Sequence, residues 1–179
     1  MTNLLPTLYL FILITSLVLL LFFLLKQIFQ KREKENELSL LQEKFRAGNI
    51  TYTEHYSLGV IYLSKKLFDQ AIIQLSYALK KWDPLDTIGL SNLYNTIGFT
   101  YFESEQFDLS IYYYQEAIKL IPDYLIALNN LAYAHEKKKS LEDAINTYKK
   151  VLIYDEKNTI ANEKIQSLSR RVKIRDDRI

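Results

Sequence analysis

Two imidazoles, His55 and His135, are the only side chains of this sequence suited to proton transfer near neutral pH, and there is no cysteine to pair with either. Nucleophilic thiol chemistry, disulfides and thiolate metal sites are therefore excluded. Carboxylate chemistry would need two acids held at a fixed separation. Glu103 and Glu105 fall at a predicted helix end, and Asp176-Asp177 lies in a terminal run, so neither pair is held that way. No glycine-rich phosphate loop is present. The run Tyr112-Tyr113-Tyr114 could stack nucleic-acid bases, but the net charge of +2 is too weak to bring a polyanion to it. The tyrosines read instead as one inward residue, Tyr114, and two that cover a neighbouring helix. The chemistry expected is thus none: no catalytic residue, no cofactor, no metal, no small-molecule substrate and no nucleic acid. Function must lie in a surface that binds protein.

The elements that would build such a surface are helices. Four glycines and three prolines are too few for an all-β fold and suit helices joined by short turns. Residues 1–25 contain no charged side chain, and Leu8–Leu25 reads LYLFILITSLVLLLFFLL. About 20 helical residues cross the ~30 Å hydrocarbon core, so residues 5–26 are expected to form an uncleaved transmembrane helix. No Lys or Arg precedes the apolar run and no small-residue cleavage pattern follows it, unlike a signal peptide. Lys26, Lys31, Arg32 and Lys34 follow it, which by the positive-inside rule keeps the rest of the chain on the cytoplasmic-type face. Residues 27–50 are expected to be a charged helical stalk with pairs such as Lys31–Glu35 and Glu43–Arg46 and a stop at Gly48. Its stripe of Leu38, Leu41 and Phe45 is expected to pack on the soluble domain.

From Tyr52 onward one pattern recurs with a 34-residue period. The units are 52–85, 91–124 and 125–158. Small residues stand at position 8 (Gly59, Gly98, Ala132) and position 20 (Ala71, Ser110, Ala144). Large ones stand at position 24 (Leu75, Tyr114, Tyr148), and position 27 holds Ala78, Ala117 and Val151. Antiparallel helices approach closely only where side chains are small, so positions 8 and 20 mark a helix–helix contact inside each unit. One such hairpin cannot bury its apolar face alone, and units must stack. Pro84 and Pro122 are expected to end the second helix of the first two units; the third has Glu156. Thr51-x-x-Glu54 and Ser140-x-x-Asp143 read as capping boxes. His55 and His135 fall at packing positions. The five extra residues Asp86–Leu90 lengthen the following helix, either as a recognition feature on one rim or as a tolerated extension. Ala161, Ile165, Leu168 and Val172 form the stripe of a capping helix over 159–173, and residues 174–179 are expected to fray.

This sequence resembles the tetratricopeptide repeat over Tyr52–Asn158, with departures at position 4 (His55, Tyr94, Leu128), at Ser110 and at His135. The resemblance implies an all-α solenoid of three helix-turn-helix units, preceded by a transmembrane helix and closed by a capping helix. It also implies a concave groove lined by positions 2, 5, 9 and 12 of each first helix. Here these are Thr53, Tyr56, Val60 and Leu63, then Asn92, Asn95, Phe99 and Phe102, then Ile126, Asn129, Tyr133 and Glu136. Asparagines can both donate to and accept from a peptide backbone, and rings anchor it at low entropic cost. Either this groove takes a segment of another protein, or it folds against the terminal helix. Repeats that hold the acidic tails of heat-shock chaperones place Lys and Arg where this chain has Tyr56, Ile126 and Asn130, which argues against that role.

The whole layout is similar to the membrane-anchored tetratricopeptide photosystem I assembly factors of cyanobacteria and plastids, a family known as a conserved plastid reading frame. An excess of Lys over Arg, 17 to 6, fits an AT-rich plastid genome. That resemblance implies a single-pass thylakoid protein with its repeats in the stroma, whose partner is a photosystem I subunit or assembly intermediate. A bacterial inner-membrane adaptor for envelope biogenesis or protease regulation, an organelle import receptor and an accessory subunit of an enzyme complex share the layout and stay open at this point.

Overall fold

The computed structural model describes residues 4–176, and the side chains of 7–174. Among the described residues all regular structure is helical: α1 (Leu4–Arg46), α2 (Tyr52–Ser64), α3 (Phe68–Lys81), α4 (Thr87–Glu103), α5 (Phe107–Leu120), α6 (Leu125–Lys137), α7 (Leu141–Tyr154) and α8 (Thr159–Asp176). The chain divides into two compact units, residues 1–49 and 50–179.

The first unit is one continuous helix. The expected apolar helix and charged stalk are not separate elements, because no residue between Leu25 and Arg46 interrupts helical hydrogen bonding. Its stretch from Thr7 includes a window of mean hydropathy 2.9 with no buried residue. The helix ends where predicted. Gly48 takes φ +69°, Gly48 N donates to Phe45 O at 3.1 Å, and Asn49 N donates to Lys44 O at 3.0 Å. These two bonds satisfy carbonyls the last turn would otherwise leave open.

The second unit is the solenoid. The helices pair as α2–α3, α4–α5 and α6–α7, and α8 packs on α7. Each small position does the expected work: Ala71, Ser110 and Ala144 are fully buried, as are Ala78, Ala117 and Val151. At Gly98 an added Cβ would lie 2.8 Å from Tyr114 Cδ1 and 3.2 Å from the Ser110 carbonyl oxygen, so α4 and α5 touch backbone to side chain there. Ala161, Ile165, Leu168 and Val172 join one cluster with Leu128, Tyr148 and Val151, which carries the core into α8. That helix continues to Asp176, so residues 174–176 are helical where fraying was expected; 177–179 lie outside the described residues.

The three turns inside the hairpins are built alike. Lys66, Glu105 and Lys139 adopt left-handed φ of 59°, 62° and 68°. After each, the next backbone N–H reaches back five residues: Leu67 to Tyr62, Gln106 to Tyr101 and Ser140 to His135, all at 2.9 Å. Thr51 and Glu54 form the expected capping box, with Glu54 N donating to Thr51 Oγ1 at 3.2 Å and Thr51 N to Glu54 Oε2 at 2.9 Å. Ser140 does not: its side chain makes no cap bond, like Leu67 and Gln106 at the same place. The left-handed turn, not a capping side chain, sets the start of these helices. A non-glycine residue there costs about 1–2 kcal/mol, against about 0.5–1 kcal/mol for the added chain entropy of glycine. Lys66→Gly and Lys139→Gly are therefore each expected to raise stability by about 0.5–1 kcal/mol, read from the midpoint of urea unfolding; a fall in the midpoint would contradict the turn geometry.

Prolines matter less than the sequence suggested. The helices α3, α5 and α7 all end at position 30 of their units, although the third unit has no proline. Asn158 instead caps the following helix, its Oδ1 accepting from Ala161 N at 2.9 Å at the head of α8. The five-residue insertion lengthens α4 to 17 residues against 13 in α2 and α6. Asp86 fixes this extra turn by accepting from Gly89 N at 2.8 Å and from Trp82 Nε1 at 3.1 Å.

Candidate functional site

The twelve groove positions fall on α2, α4 and α6, and α4 touches both of the other two. Along this row, position 9 is the most regular feature. Val60, Phe99 and Tyr133 are 37%, 39% and 38% exposed. Three apolar side chains at one position of three stacked units thus form a half-exposed line, and Ile126 adds a fourth at 59%. Thr53 and Asn92 are exposed; Tyr56, Leu63, Asn95, Phe102, Asn129 and Glu136 are half-buried.

Several predicted residues turn out to hold the repeats together as well. Phe102 lies 5.2 Å from the Tyr133 ring and 5.6 Å from Phe107, and it packs on the cluster of Ile111, Tyr114 and Leu131. Tyr56 lies edge-on to Trp82 at 5.8 Å, and its hydroxyl is 3.3 Å from Thr96 Oγ1. The asparagines were expected to address a ligand in both directions. Instead Asn92 Oδ1 accepts from the Tyr124 hydroxyl at 2.7 Å, and Asn95 Oδ1 accepts from Asn130 Nδ2 at 3.1 Å. Asn129 Nδ2 donates to Leu125 O of its own helix at 2.8 Å. A row of side-chain bonds across first helices fixes their spacing, and hence the width of the groove.

Thr96 and Tyr124 belong to this row and were not singled out from the sequence, and Asn130, named there only as a groove position without a cation, belongs to it too. Their signal is position 6, where Thr96 and Asn130 each face position 5 of the preceding unit. At the far end Lys164 of α8 donates to Glu136 Oε1 and Oε2 at 3.1 and 2.9 Å and stands 5.5 Å from the Tyr133 ring; Lys137 lies 5.2 Å from the same ring. Two ammonium groups against one tyrosine make this end of the groove cationic and aromatic.

The histidines are not set up for proton transfer. His55 is buried, donates from Nδ1 to Gln74 Oε1 at 2.7 Å and stacks on Tyr77 at 5.3 Å. Burial holds the His135 imidazole below its usual value; Asp143 pulls it up and Lys138 pushes it further down. Burial also pushes the Tyr148 hydroxyl up to about 12. Among the described residues, no three His, Asp or Glu side chains come together as a metal site.

A tetratricopeptide-repeat family model matches residues 91–124 and 125–158. The ycf37 protein of Guillardia theta is 45% identical over 179 residues and spans the full length of both chains. The chloroplastic tetratricopeptide repeat domain-containing protein PYG7 of Arabidopsis thaliana is 36% identical over 166 residues; these are 93% of this chain and 55% of that longer protein. Among solved structures, MamA superposes with a TM-score of 0.69 at 22% identity over 82% of this chain and 85% of its own, a likeness of fold. The chain belongs to the ycf37 family of plastid tetratricopeptide-repeat proteins: a protein-interaction scaffold of three repeats, preceded in sequence by one long apolar helix.

Proposed function

We propose that this chain is a non-catalytic, membrane-anchored scaffold that holds a subunit or assembly intermediate of photosystem I while the complex is built. The observation that carries the interaction part is the half-exposed line of Val60, Phe99 and Tyr133 across three stacked units. Surface this apolar and this regular, held at fixed width by the asparagine row, suits one segment of a partner protein lying across all three first helices. Membership of a plastid family and the similarity of layout to photosystem I assembly factors support the choice of partner.

The apolar helix supports the anchor. Leu8–Leu25 is long enough to cross a bilayer, and the basic residues that follow it favour a stromal position for the repeats, with the thylakoid as the membrane. Anchoring confines the groove to a thin layer beside other membrane subunits and raises its effective concentration toward them. A groove of moderate affinity then suffices to capture a subunit and to release it on assembly.

Removing residues 1–26 tests the anchor. The full chain is expected to stay with thylakoid membranes under alkaline extraction. The truncated chain is expected in the soluble fraction, with the helical circular dichroism of a folded repeat domain. A truncated chain that remains on the membrane would overturn the single-anchor topology.

A further inference from the structure

We propose a second binding site in the cleft between α5, α6 and α7: it takes a tyrosine side chain of a partner polypeptide, in the place that Tyr113 occupies one repeat earlier. The cleft has a volume of about 630 Å³ and is walled by Ile118, Leu128, Leu131, His135 and Thr147. It faces away from the groove. On α6 the groove uses positions 2, 5, 9 and 12, and the cleft uses positions 4, 7 and 11. At 100° per residue their centres lie roughly 150° apart around the helix axis.

The argument rests on what fills the same cleft in the preceding pair of units. Thirty-four residues before Leu128, His135, Asn146 and Thr147 stand Tyr94, Tyr101, Tyr112 and Tyr113. There the Tyr113 ring stacks on Tyr101 at 5.4 Å with 12° between planes. It lies 6.2 Å from Tyr94 and takes an edge contact from Tyr112 at 5.1 Å. Four rings close the space between α3, α4 and α5. Between α5, α6 and α7 the helices pair in the same way, but the four positions hold smaller side chains. Thr147 cannot replace the ring, because its hydroxyl turns back to donate to Asp143 O of its own helix at 2.7 Å.

His135 occupies the position of the stacking partner Tyr101, and its Nδ1 is buried without a hydrogen bond. A buried polar atom left unpaired is costly. The first unit shows how this chain satisfies one: His55 Nδ1 is met at 2.7 Å by Gln74, which stands at the same position of its unit as Thr147. A ligand ring that enters beside Thr147 can stack on the imidazole face, as Tyr113 stacks on Tyr101 one repeat earlier. Burial holds the His135 imidazole below its usual value, which favours the neutral ring.

The rim identifies the ligand as part of a polypeptide. Gln115 and Asn146 are exposed amides at the mouth, able to donate to and accept from a peptide backbone. Lys119 is paired with Glu116, which leaves Lys150 and Asp143 as opposite charges at the mouth, so the rim favours neither sign beside the tyrosine.

The chain has two histidines, so ring-labelled histidine gives one reporter in the cleft and one control at His55. The full chain in detergent micelles is titrated with acetyl-Gly-Tyr-Gly-amide and with its leucine counterpart, and imidazole signals are followed by NMR. The tyrosine peptide is expected to shift His135 and not His55, with the leucine peptide at least tenfold weaker. Thr147→Tyr, which rebuilds the packing of the preceding unit, is expected to abolish the shift; the comparison of the two peptides on the unaltered chain stands whether or not that variant folds. Equal shifts from both peptides, or no shift of His135, would overturn the proposal. A shift from free p-cresol but not from the peptide would also overturn it, since the cleft would then take a small aromatic molecule. Phe99→Ala with Tyr133→Ala is expected to keep the His135 response, so failure here is separable from failure of the groove.

Discussion

Gly98→Val is expected to lower the unfolding midpoint of the repeat domain by roughly 10 °C, from about 3 kcal/mol of overpacking in a domain of this size. The first added carbon already meets Tyr114 Cδ1 at 2.8 Å and Cε1 at 2.9 Å, with the Ser110 carbonyl oxygen behind at 3.2 Å. Tyr114 cannot move aside, because it is fully buried against Ile111 and Leu131. Both branches of valine would have to enter that space, so α4 and α5 must separate. Alanine is a different case. The third unit has Ala132 at the same position opposite Tyr148, so one methyl group fits when the helices part slightly. Alanine also gains about 1 kcal/mol of helix propensity over glycine. Gly98→Ala is therefore expected to leave the midpoint almost unchanged. An unchanged midpoint for the valine variant would show that α4 and α5 do not meet as closely as described.

Phe99→Ala combined with Tyr133→Ala is expected to weaken capture of the partner at least 100-fold with helicity unchanged. Both rings are more than a third exposed, so their removal costs little core. Both lie on the line that a ligand would follow, and an aromatic anchor of an interface contributes about 2 kcal/mol or more each. Tyr133 has the larger share, since Phe102, Lys137 and Lys164 all lean on its ring and pre-form the pocket wall. The check is recovery of photosystem I subunits with the affinity-tagged chain from solubilised thylakoids. Equal recovery by the double variant would move the site off the groove and toward the cleft of α5, α6 and α7.

The fold was legible in the sequence because its determinants are few and local. Gly59, Gly98 and Ala132 must be small wherever two helices cross, and that constraint repeats with the unit. The line of Val60, Phe99 and Tyr133 was legible for the same reason. The interactions that differ between units were not. Ser140 looks like a cap but serves a left-handed turn, because Lys139 holds positive φ. The asparagines of the groove look free, but Asn95 bonds across to Asn130 of the next unit and Asn92 bonds to Tyr124 at the end of its own, which only the stacking distance reveals. The cleft was the hardest to see. It exists through a contrast between Tyr94, Tyr101, Tyr112 and Tyr113 and their smaller counterparts, at positions 4, 11, 22 and 23 of the unit. Aligning units for their differences, and not only their agreements, would have exposed it.

The central claim is that this scaffold serves photosystem I, and the most direct test is the amount of photosystem I relative to photosystem II in cells that lack the chain. Photosystem I is expected to fall while photosystem II stays normal, because capture of an unassembled subunit near the membrane affects only the complex that subunit joins. An unchanged ratio under both ordinary and stressed growth would contradict the account.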